Sequence, residues 1–386
     1  MQKLNIGITV DLSVSLFSSG INQNAIYLAE VYREIGWNPI LISNGEDGRA
    51  SKELNIFGLD HLEIIDINDL DSIRWDILIT LGVAILPARL IPLRKVNPNL
   101  RLIEYKCGNQ LFVTSEIILH GAHEKRKAKS SIPTVPPKAD AIWVIPQMEN
   151  TNLHFYEYLN GSNNIATVVP FIWDPMVVEA SSKFAKFPNW EPRETKRVSI
   201  TEPNLGLMKN VIMPTVICSR ALDCDIEIDS IHAWSTKKLS ENLDLIKFIR
   251  EGNKDLLTKF KALDRLPITS VLSNSDYVLS WQLENNLNYV YFDTAWLGYP
   301  IIHNANLCQD IGYYYPNSDA EEGVKQLKNA MDNHTTDYLE RSRNSIRRYT
   351  KENPELVEAY KKLTLEVLDG KSNRYKYNWQ TNTINI

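Results

Sequence analysis

Two polar segments near residue 290 of this 386-residue chain have the residue types that bind sugar hydroxyl groups. Glu284 and Asn285 follow the apolar run Tyr277–Leu279, and Asp293 lies in the next apolar segment. Ligands of open α/β sheets bind outside the carboxyl ends of strands, where such residues would lie. Carboxylates there suit hydroxyl-rich ligands such as a ribose or a hexose. The alternative interpretation is an amphipathic helix with a solvated acid at each end.

A lysine in a second loop has the charge to bind a diphosphate. The segment EPNLGLMKN follows the predicted strand 197–201 and precedes a predicted helix. Lys209 near the helix start would direct a compact cation at a phosphate group, and the helix dipole would add to it. Asn204 lies in the same loop, and Arg220 or Lys237 could supply more charge. A surface lysine is the alternative.

Small and polar residues follow the first predicted strand, 4–10, and begin a helix that ends at Gly36. Gly20, Asn22 and Gln23 lie where backbone N–H groups of a βα turn favour anionic ligands. The chain has no GxGxxG here, so a dehydrogenase-type dinucleotide site is weakly supported. An ordinary βα turn is the alternative interpretation.

Further polar residues follow the predicted strand 102–105. Lys106 and Asn109 are predicted to contact an acceptor substrate, unless this segment is only a strand-terminating turn. The segment 120–138 is the most basic part of the chain, and clustered Lys and Arg bind nucleic-acid phosphates by releasing counterions. A solvated surface is the alternative for this cluster, which consists of Lys125, Arg126, Lys127 and Lys129. Candidates for a catalytic base are Glu104, His120 and His123.

The elements that would position these residues alternate between short apolar strands and helices, which predicts mostly parallel, doubly wound sheets. A chain of 386 residues usually forms more than one domain. We predict an N-terminal domain at 1–175, a linker at 176–196, a second Rossmann-like domain at 197–350, and a helix with a tail at 351–386.

The bulk composition is that of an ordinary globular protein, with a net charge of −5. No apolar run reaches the roughly 20 residues that span a bilayer, and the first residues lack a secretory signal. The four cysteines lack zinc or disulfide spacing, so a cytoplasmic protein is expected. No metal site is predicted, since the DxD matches at 69–71 and 223–225 do not follow buried strands convincingly.

The order of these segments resembles that of GT-B-type glycosyltransferases. The resemblance implies two Rossmann-like domains facing a cleft and a C-terminal helix that crosses back to the first domain. Two acids eight positions apart bind the donor sugar and the ribose in that family. Asp293 matches the second acid, but Asn285 stands eight positions before it and Glu284 nine. Either the loop is one residue longer, or Asn285 has taken over the sugar contact.

The resemblance also implies roles in binding the donor. It assigns Lys209 to the diphosphate of a nucleotide sugar, expected to be UDP-linked, with no other cofactor. The usual Gly-Arg pair of the family is absent from this loop. The opening loop with Gly20, Asn22 and Gln23 matches the family's loop between donor and acceptor.

A narrower resemblance links the chain to phage and bacterial glycosyltransferase-like proteins. It is carried by the segments GINQN, EYKCGN, EPNLGLMKN and LNYVYFDTAWLGYPIIHNA. The Asn-, Lys- and Ile-rich composition suits a T-even-type phage protein. The resemblance suggests double-stranded DNA carrying 5-hydroxymethylcytosine as the acceptor, and glucose or arabinose as the sugar. The alternatives are a carbohydrate or lipid-linked acceptor in polysaccharide synthesis, or a non-catalytic sugar- or nucleotide-binding protein.

Overall fold

The computed structural model describes residues 3–16, 19–44, 54–55, 58–121, 138–161, 165–187 and 189–385, without the side chains of residues 120 and 121. The chain divides into two compact units. One comprises Met1–Ala180 together with Arg348–Ile386, and the other comprises Ser181–Arg347.

The described part of the first unit is built around a parallel seven-stranded sheet with the strand order β3-β2-β1-β4-β5-β6-β7. Its strands are β1 (Asn5–Val10), β2 (Asn38–Ser43), β3 (Glu63–Asp66), β4 (Ile77–Thr80), β5 (Arg101–Lys106), β6 (Ala141–Val144) and β7 (Ala166–Val168). The connecting helices are α1 (Gly20–Ile35), α2 (Pro87–Val96), α3 (Gln110–Gly121), α4 (Glu149–Asn160) and α5 (Met176–Ala185).

The second unit repeats the arrangement with a six-stranded parallel sheet in the order β10-β9-β8-β11-β12-β13. Its strands are β8 (Arg197–Ile200), β9 (Ser230–Ala233), β10 (Phe260–Ala262), β11 (Tyr277–Leu279), β12 (Ile301–His303) and β13 (Tyr313–Tyr314). Its helices are α6 (Ile212–Asp223), α7 (Leu243–Arg250), α8 (Leu256–Lys259), α9 (Ile268–Leu272), α10 (Tyr289–Trp296), α11 (Ala320–Asn333) and α12 (Asp337–Ile346).

Local sequence explains where helix α1 begins and ends. The Ser19 hydroxyl accepts a hydrogen bond from the Asn22 N–H at 3.3 Å, which satisfies one of the amides left unpaired at a helix start. Gly36 ends the helix in the left-handed region at φ 88°, as predicted from its position. Every residue of α1 from Asn22 to Tyr32 is buried, so the helix is covered on all sides over about three turns.

The last helix, α13 (Pro354–Leu368), belongs to the first unit, which confirms the predicted return of the chain. Its Tyr360 hydroxyl lies 2.9 Å from the hydroxyl of Tyr105 on β5 and donates to the Pro170 carbonyl oxygen at 2.6 Å. Thr364 lies 3.0 Å from the Tyr32 hydroxyl on α1. These buried hydrogen bonds fix α13 against both the sheet and the first helix.

Both sheets confirm the prediction of two parallel, Rossmann-like α/β domains. The segment 176–196, predicted to be a linker without periodicity, instead contains helix α5, and the division between the units falls within that helix. Its Val177 and Val178 are buried, so apolar packing overrides the flanking prolines and charges. The tail also forms a hairpin that was not predicted, between β14 (Lys376–Asn378) and β15 (Thr383–Asn385).

In the residues that the structure describes, there is no helix both long and apolar enough to cross a membrane.

Candidate functional site

The strand order of the second sheet reverses between β8 and β11, which are hydrogen-bonded neighbours. A crevice outside the carboxyl ends of the strands forms at such a reversal and is where ligands bind in doubly wound sheets. Residues 201–211 leave the carboxyl end of β8, and residues 280–288 leave the carboxyl end of β11. These two loops contain Lys209, Glu284 and Asn285, three of the residues that the sequence predicted for ligand binding.

Asn204 shapes the loop after β8. Its backbone is in the left-handed region at φ 54°, a conformation that Asn tolerates better than most residues. Its side-chain amide donates to the Glu202 carbonyl oxygen and to the Thr236 hydroxyl, both at 3.0 Å, and its side-chain oxygen accepts from the Val211 N–H at 2.8 Å. The predicted ligand residue Asn204 therefore organises the loop with its own side chain.

Lys209 lies at the end of a tight turn, in an antiparallel bridge with Gly206. The side chain is half-buried, and this burial lowers the pKa of the Lys209 ammonium. The Glu202 carboxylate opposes that pKa shift, whereas the positive charge of Arg265 adds to it. A partly dehydrated ammonium of this kind interacts strongly with an anion that reaches it.

A backbone hydrogen bond joins the two loops, from the Leu283 N–H to the Met208 carbonyl oxygen at 2.8 Å. Met208 directly precedes Lys209, and Leu283 directly precedes Glu284, so the hydrogen bond brings the chain beside these two predicted residues together. Sequence reasoning selected both loops independently, and the structure brings them together.

Gln282 orders the loop after β11. Its side-chain oxygen accepts from the Asn285 N–H at 2.6 Å, and its backbone N–H donates to the Asn304 side-chain oxygen at 2.9 Å. Glu284 follows in the left-handed region at φ 51°. Gln282 is buried, whereas Glu284 and Asn285 are half-buried, so the latter two extend from a rigid base.

Asp293 lies in the middle of α10, the helix that follows this loop. The side-chain oxygen of Asn288 caps the helix start by accepting from the Val290 N–H at 3.4 Å. Asp293 is only 8% exposed, so this acid is buried. The structure therefore places the second predicted acid on a buried, ordered helix rather than on a solvated surface.

Sequence reasoning missed Glu202 as an individual site residue. It lies two residues past β8 and is 1% exposed. Its carboxylate accepts a short hydrogen bond from the Ser280 hydroxyl and another from the Trp281 N–H at 3.2 Å. The available signal was its position as an acid directly after an apolar strand.

In the first unit, Asn22 and Gln23 are used to hold the loop after β1. The Asn22 amide donates to the carbonyl oxygens of Asp11 at 2.6 Å and Val14 at 3.2 Å, and its oxygen accepts from the Asp11 N–H at 3.1 Å. The Gln23 amide donates to the Leu16 carbonyl oxygen at 2.6 Å. Gly20, the first residue of α1, is exposed beside this loop.

The predicted residues at the end of β5 and directly after it have partners within the first unit. The Lys106 ammonium lies 2.8 Å from the Glu104 carboxylate, which is buried. Asn109 is buried and caps α3 by accepting from the Phe112 N–H at 3.2 Å, while Asn152 donates to the same oxygen at 2.9 Å. Of these residues, Lys106 remains half-exposed at the carboxyl end of the sheet.

The remaining predicted residues lie outside the part of the chain that the structure describes. The His120 side chain is among them, as are His123, Lys125, Arg126, Lys127 and Lys129. Their assignments stay predictions. Among the described residues, no group of three or more His, Cys, Asp or Glu side chains is arranged to hold a metal ion.

Solved structures with the same fold are glycosyltransferases. A glycosyltransferase from Rickettsia africae is 14% identical, with a TM-score of 0.53 over 95% of this chain and 99% of that one. Anabaena HepE in complex with UDP and glucose is 10% identical, with a TM-score of 0.55 over 93% and 100%. An alpha-glucosyltransferase in complex with UDP and a 13-mer DNA containing a HMU base is 11% identical, with a TM-score of 0.56 over 95% and 100%. The protein thus has the GT-B fold.

The chain belongs to the family described as "Protein of unknown function (DUF2827)", whose model matches residues 6–364. No curated protein sequence matches it significantly.

Proposed function

We propose that this protein is a glycosyltransferase that moves a sugar from a nucleoside diphosphate donor, UDP-linked, to a hydroxyl group. The observation that carries the proposal is the hydrogen bond between Met208 and Leu283. It joins the loop that contains Lys209 to the loop that contains Glu284, at the point where the strand order of the second sheet reverses. One ligand with both phosphates and sugar hydroxyls matches that combination of charges.

Each residue has a role that follows from its chemistry. Lys209 stabilises the negative charge that develops on the diphosphate as it leaves. Stabilisation of developing charge is usually the largest contribution to catalysis, and it is stronger in a site from which water is partly excluded. Asp293 accepts hydrogen bonds from the ribose hydroxyls, and Glu284 or Asn285 orients the sugar. This mechanism uses no metal ion and no cofactor besides the nucleotide sugar.

In the reaction, the bond between the anomeric carbon and the phosphate oxygen breaks, and a bond to the acceptor oxygen forms. The acceptor hydroxyl loses its proton to a base. Glu104 is the described candidate for that base, and in this structure its carboxylate is paired with Lys106. Exclusion of water from the site would protect the activated sugar from hydrolysis.

The fold likeness supports this assignment, because HepE was solved with UDP and glucose. We propose the second unit as the nucleotide-sugar domain and the first unit as the acceptor domain. For the acceptor we propose 5-hydroxymethylcytosine in double-stranded DNA, receiving glucose or arabinose. The likeness to the alpha-glucosyltransferase solved with UDP and DNA supports that choice, as does the basic sequence at 120–138.

The test is to incubate the protein with a panel of nucleotide sugars and hydroxymethylated duplex DNA, and to measure the mass of the DNA by mass spectrometry. Addition of one hexose or pentose per modified base supports the full proposal. Release of UDP only with a carbohydrate or lipid-linked acceptor would keep the enzyme class and reject DNA. Binding without turnover for any acceptor would favour a non-catalytic sugar-binding protein.

Site variants separate the assignment from general effects on folding. Lys209→Ala and Asp293→Ala are expected to abolish transfer while the variants stay folded. Lys325→Ala is a matched control, because this exposed lysine pairs with Glu322 on helix α11. Activity close to normal in both site variants would reject the assignment of the site.

A further inference from the structure

Two buried amide side chains lie where the chain leaves β11 and β12. Gln282 and Asn304 are each 5% exposed. The Asn304 side-chain oxygen accepts from the Gln282 N–H at 2.9 Å, and its amide nitrogen donates to the Gln282 carbonyl oxygen at 2.8 Å. Two residues earlier, the Ser280 N–H donates to the Ile302 carbonyl oxygen at 2.8 Å in the sheet itself. The Asn304 side chain therefore continues the hydrogen bonding of the two strands beyond their ends.

Asn304 also connects this pair of strand ends to a third loop. Its amide nitrogen donates a second hydrogen bond, to the carbonyl oxygen of Asn317, which follows β13. An amide nitrogen has two donor hydrogens, so both are used within the protein. The main chain of Gln282 is thus anchored through Asn304 to the carboxyl ends of β12 and β13.

The side chain of Gln282 spans the loop that begins at its own main chain. Its oxygen accepts from the Asn285 N–H at 2.6 Å. Its nitrogen donates to the Asn286 side-chain oxygen at 2.8 Å and to the Asn304 carbonyl oxygen at 3.3 Å. Because both donor hydrogens have partners and the residue is buried, Gln282 supports the loop rather than contacting a ligand.

This loop presents Glu284 and Asn285, both half-buried. The φ of 51° at Glu284 is unfavourable for a residue with a side chain, so the surrounding structure must hold it. Hydrogen bonds flank it on both sides. The Leu283 N–H donates to the Met208 carbonyl oxygen at 2.8 Å, and the Asn285 N–H donates to the Gln282 side chain.

We propose that Gln282, anchored by Asn304, is a positioning residue that fixes Glu284 and Asn285 in the conformation that binds the donor sugar. This inference rests on the proposed function, in which Glu284 or Asn285 orients that sugar. A loop that is already ordered does not lose conformational freedom when the ligand binds. Loss of Gln282 should therefore weaken the binding of a UDP-sugar and leave the binding of UDP alone unchanged.

The experiment measures the affinities of the whole protein for UDP and UDP-glucose by calorimetry. Gln282→Met keeps the length of the side chain and removes its hydrogen bonds. The ratio of the dissociation constant for UDP to that for UDP-glucose should fall about tenfold or more, because the loop must now be ordered by the sugar. The control Gln326→Met, on helix α11, removes only a hydrogen bond to Glu322 and should leave the ratio unchanged. Equal ratios in the wild type and in Gln282→Met would overturn the inference.

A double-mutant cycle shows whether Gln282 acts through the residues that the loop presents. In a protein that already carries Glu284→Ala and Asn285→Ala, Gln282→Met should cause no further change in the ratio. A residue that acts on its own would cause the same change in both backgrounds, and that result would also overturn the inference. If Gln282→Met does not fold, Gln282→Asn replaces it, because the shorter amide stays polar but cannot span the loop.

Amide hydrogen exchange, followed by NMR, tests the support of the loop without a ligand. Gln282→Met should speed exchange of the Asn285 N–H about tenfold or more. The Val278 N–H, which donates to the Pro300 carbonyl oxygen at 2.9 Å, should keep its rate. Unchanged exchange at Asn285 would overturn the inference even if UDP-glucose binds. If exchange changes as expected but the wild type binds neither UDP nor UDP-glucose, the proposed function fails, whereas the ordering of the loop by Gln282 stands.

Discussion

The Leu283 N–H donates to the Met208 carbonyl oxygen at 2.8 Å, so the loops after β8 and β11 are joined through their backbones. Both groups belong to the main chain, and no residue type at either position would reveal the contact in a sequence. The hydrogen bond joins two loops through residues that lie 75 positions apart in the chain. It also fixes the segment in which Glu284 adopts its unusual backbone conformation.

Glu284→Gly is expected to separate backbone strain from sugar binding. The left-handed φ of 51° at Glu284 costs roughly 1 kcal/mol in a non-glycine residue. Glycine relieves that strain, so the free energy of unfolding should stay the same or rise by up to about 1 kcal/mol. Affinity for a UDP-sugar should fall roughly tenfold or more if the carboxylate binds the sugar, while affinity for UDP stays unchanged.

Calorimetric titrations with UDP and with the UDP-sugar that turns over would measure this difference. Glu284→Gln is the control that keeps the side-chain length and the strain but removes the charge. If the wild type, Glu284→Gly and Glu284→Gln bind the UDP-sugar with equal affinity, Glu284 does not contact the sugar and the contact is assigned to Asn285.

Asp293→Ala is expected to remove the preference for ribose over deoxyribose. If its buried carboxylate accepts hydrogen bonds from the ribose, wild-type protein should bind UDP more tightly than 2′,3′-dideoxy-UDP by about 1.5–3 kcal/mol. The variant should bind both nucleotides with similar affinity. An unchanged preference in a folded Asp293→Ala protein would show that this acid has another role.

Much of the fold was predictable, because strands and helix ends are encoded locally. The run Tyr277–Leu279 was predicted as a strand and is one, with all three residues buried. Asn353 caps α13 by accepting from the Glu355 N–H at 3.1 Å, and Pro354 follows in the first turn; both residue types favour a helix start at these positions. Helix α5 was missed because the prolines and most of the charges of the segment 176–196 lie after the helix, and they hid the short apolar pattern within it.

The candidate site was harder to predict because an amide side chain can bind either a ligand or the backbone of its own loop. Asn22, Asn109 and Asn204 were all selected as ligand contacts from their positions after strands. Each hydrogen-bonds instead to nearby backbone groups, which is a common role of asparagine in loops. The residue type gives no information on which partner it takes, whereas the buried charge of Glu202 was detectable in principle.

Asn22→Ala is therefore expected to act on stability. It removes three hydrogen bonds of a residue that is 1% exposed and leaves the Asp11 N–H without that partner. The loss in the free energy of unfolding should be about 2–4 kcal/mol. Urea unfolding measures it, with the exposed residue Asn99 as the site of a control substitution, Asn99→Ala. A stable variant with weakened nucleotide binding would instead restore Asn22 as a ligand contact.

A buried acid in the first unit predicts how stability depends on pH. Burial, with smaller contributions from Glu30 and Glu352, raises the pKa of Asp174 to about 6, although the hydrogen bond from the Met176 N–H and the charge of Lys351 oppose the shift. The ordinary pKa of aspartate in an unfolded chain is about 3.9. Because the folded protein holds this proton more tightly, the stabilising contribution is complete below about pH 4 and is lost as pH rises to about 6. Above that range, ionised Asp174 destabilises the fold.

Asp174→Asn is expected to remove this penalty while keeping the hydrogen bond that the side chain accepts from the Met176 N–H at 3.0 Å. The variant should gain stability over the wild type as pH rises from about 4 to about 7, by at most about 3 kcal/mol. Urea unfolding at a series of pH values measures the difference, and Asp60→Asn, at an exposed aspartate, is the control. A difference that does not change with pH would mean that the folded and unfolded chains bind this proton equally. In that case Lys351, whose ammonium lies 2.6 Å from Glu30, compensates the buried charge of Asp174 completely.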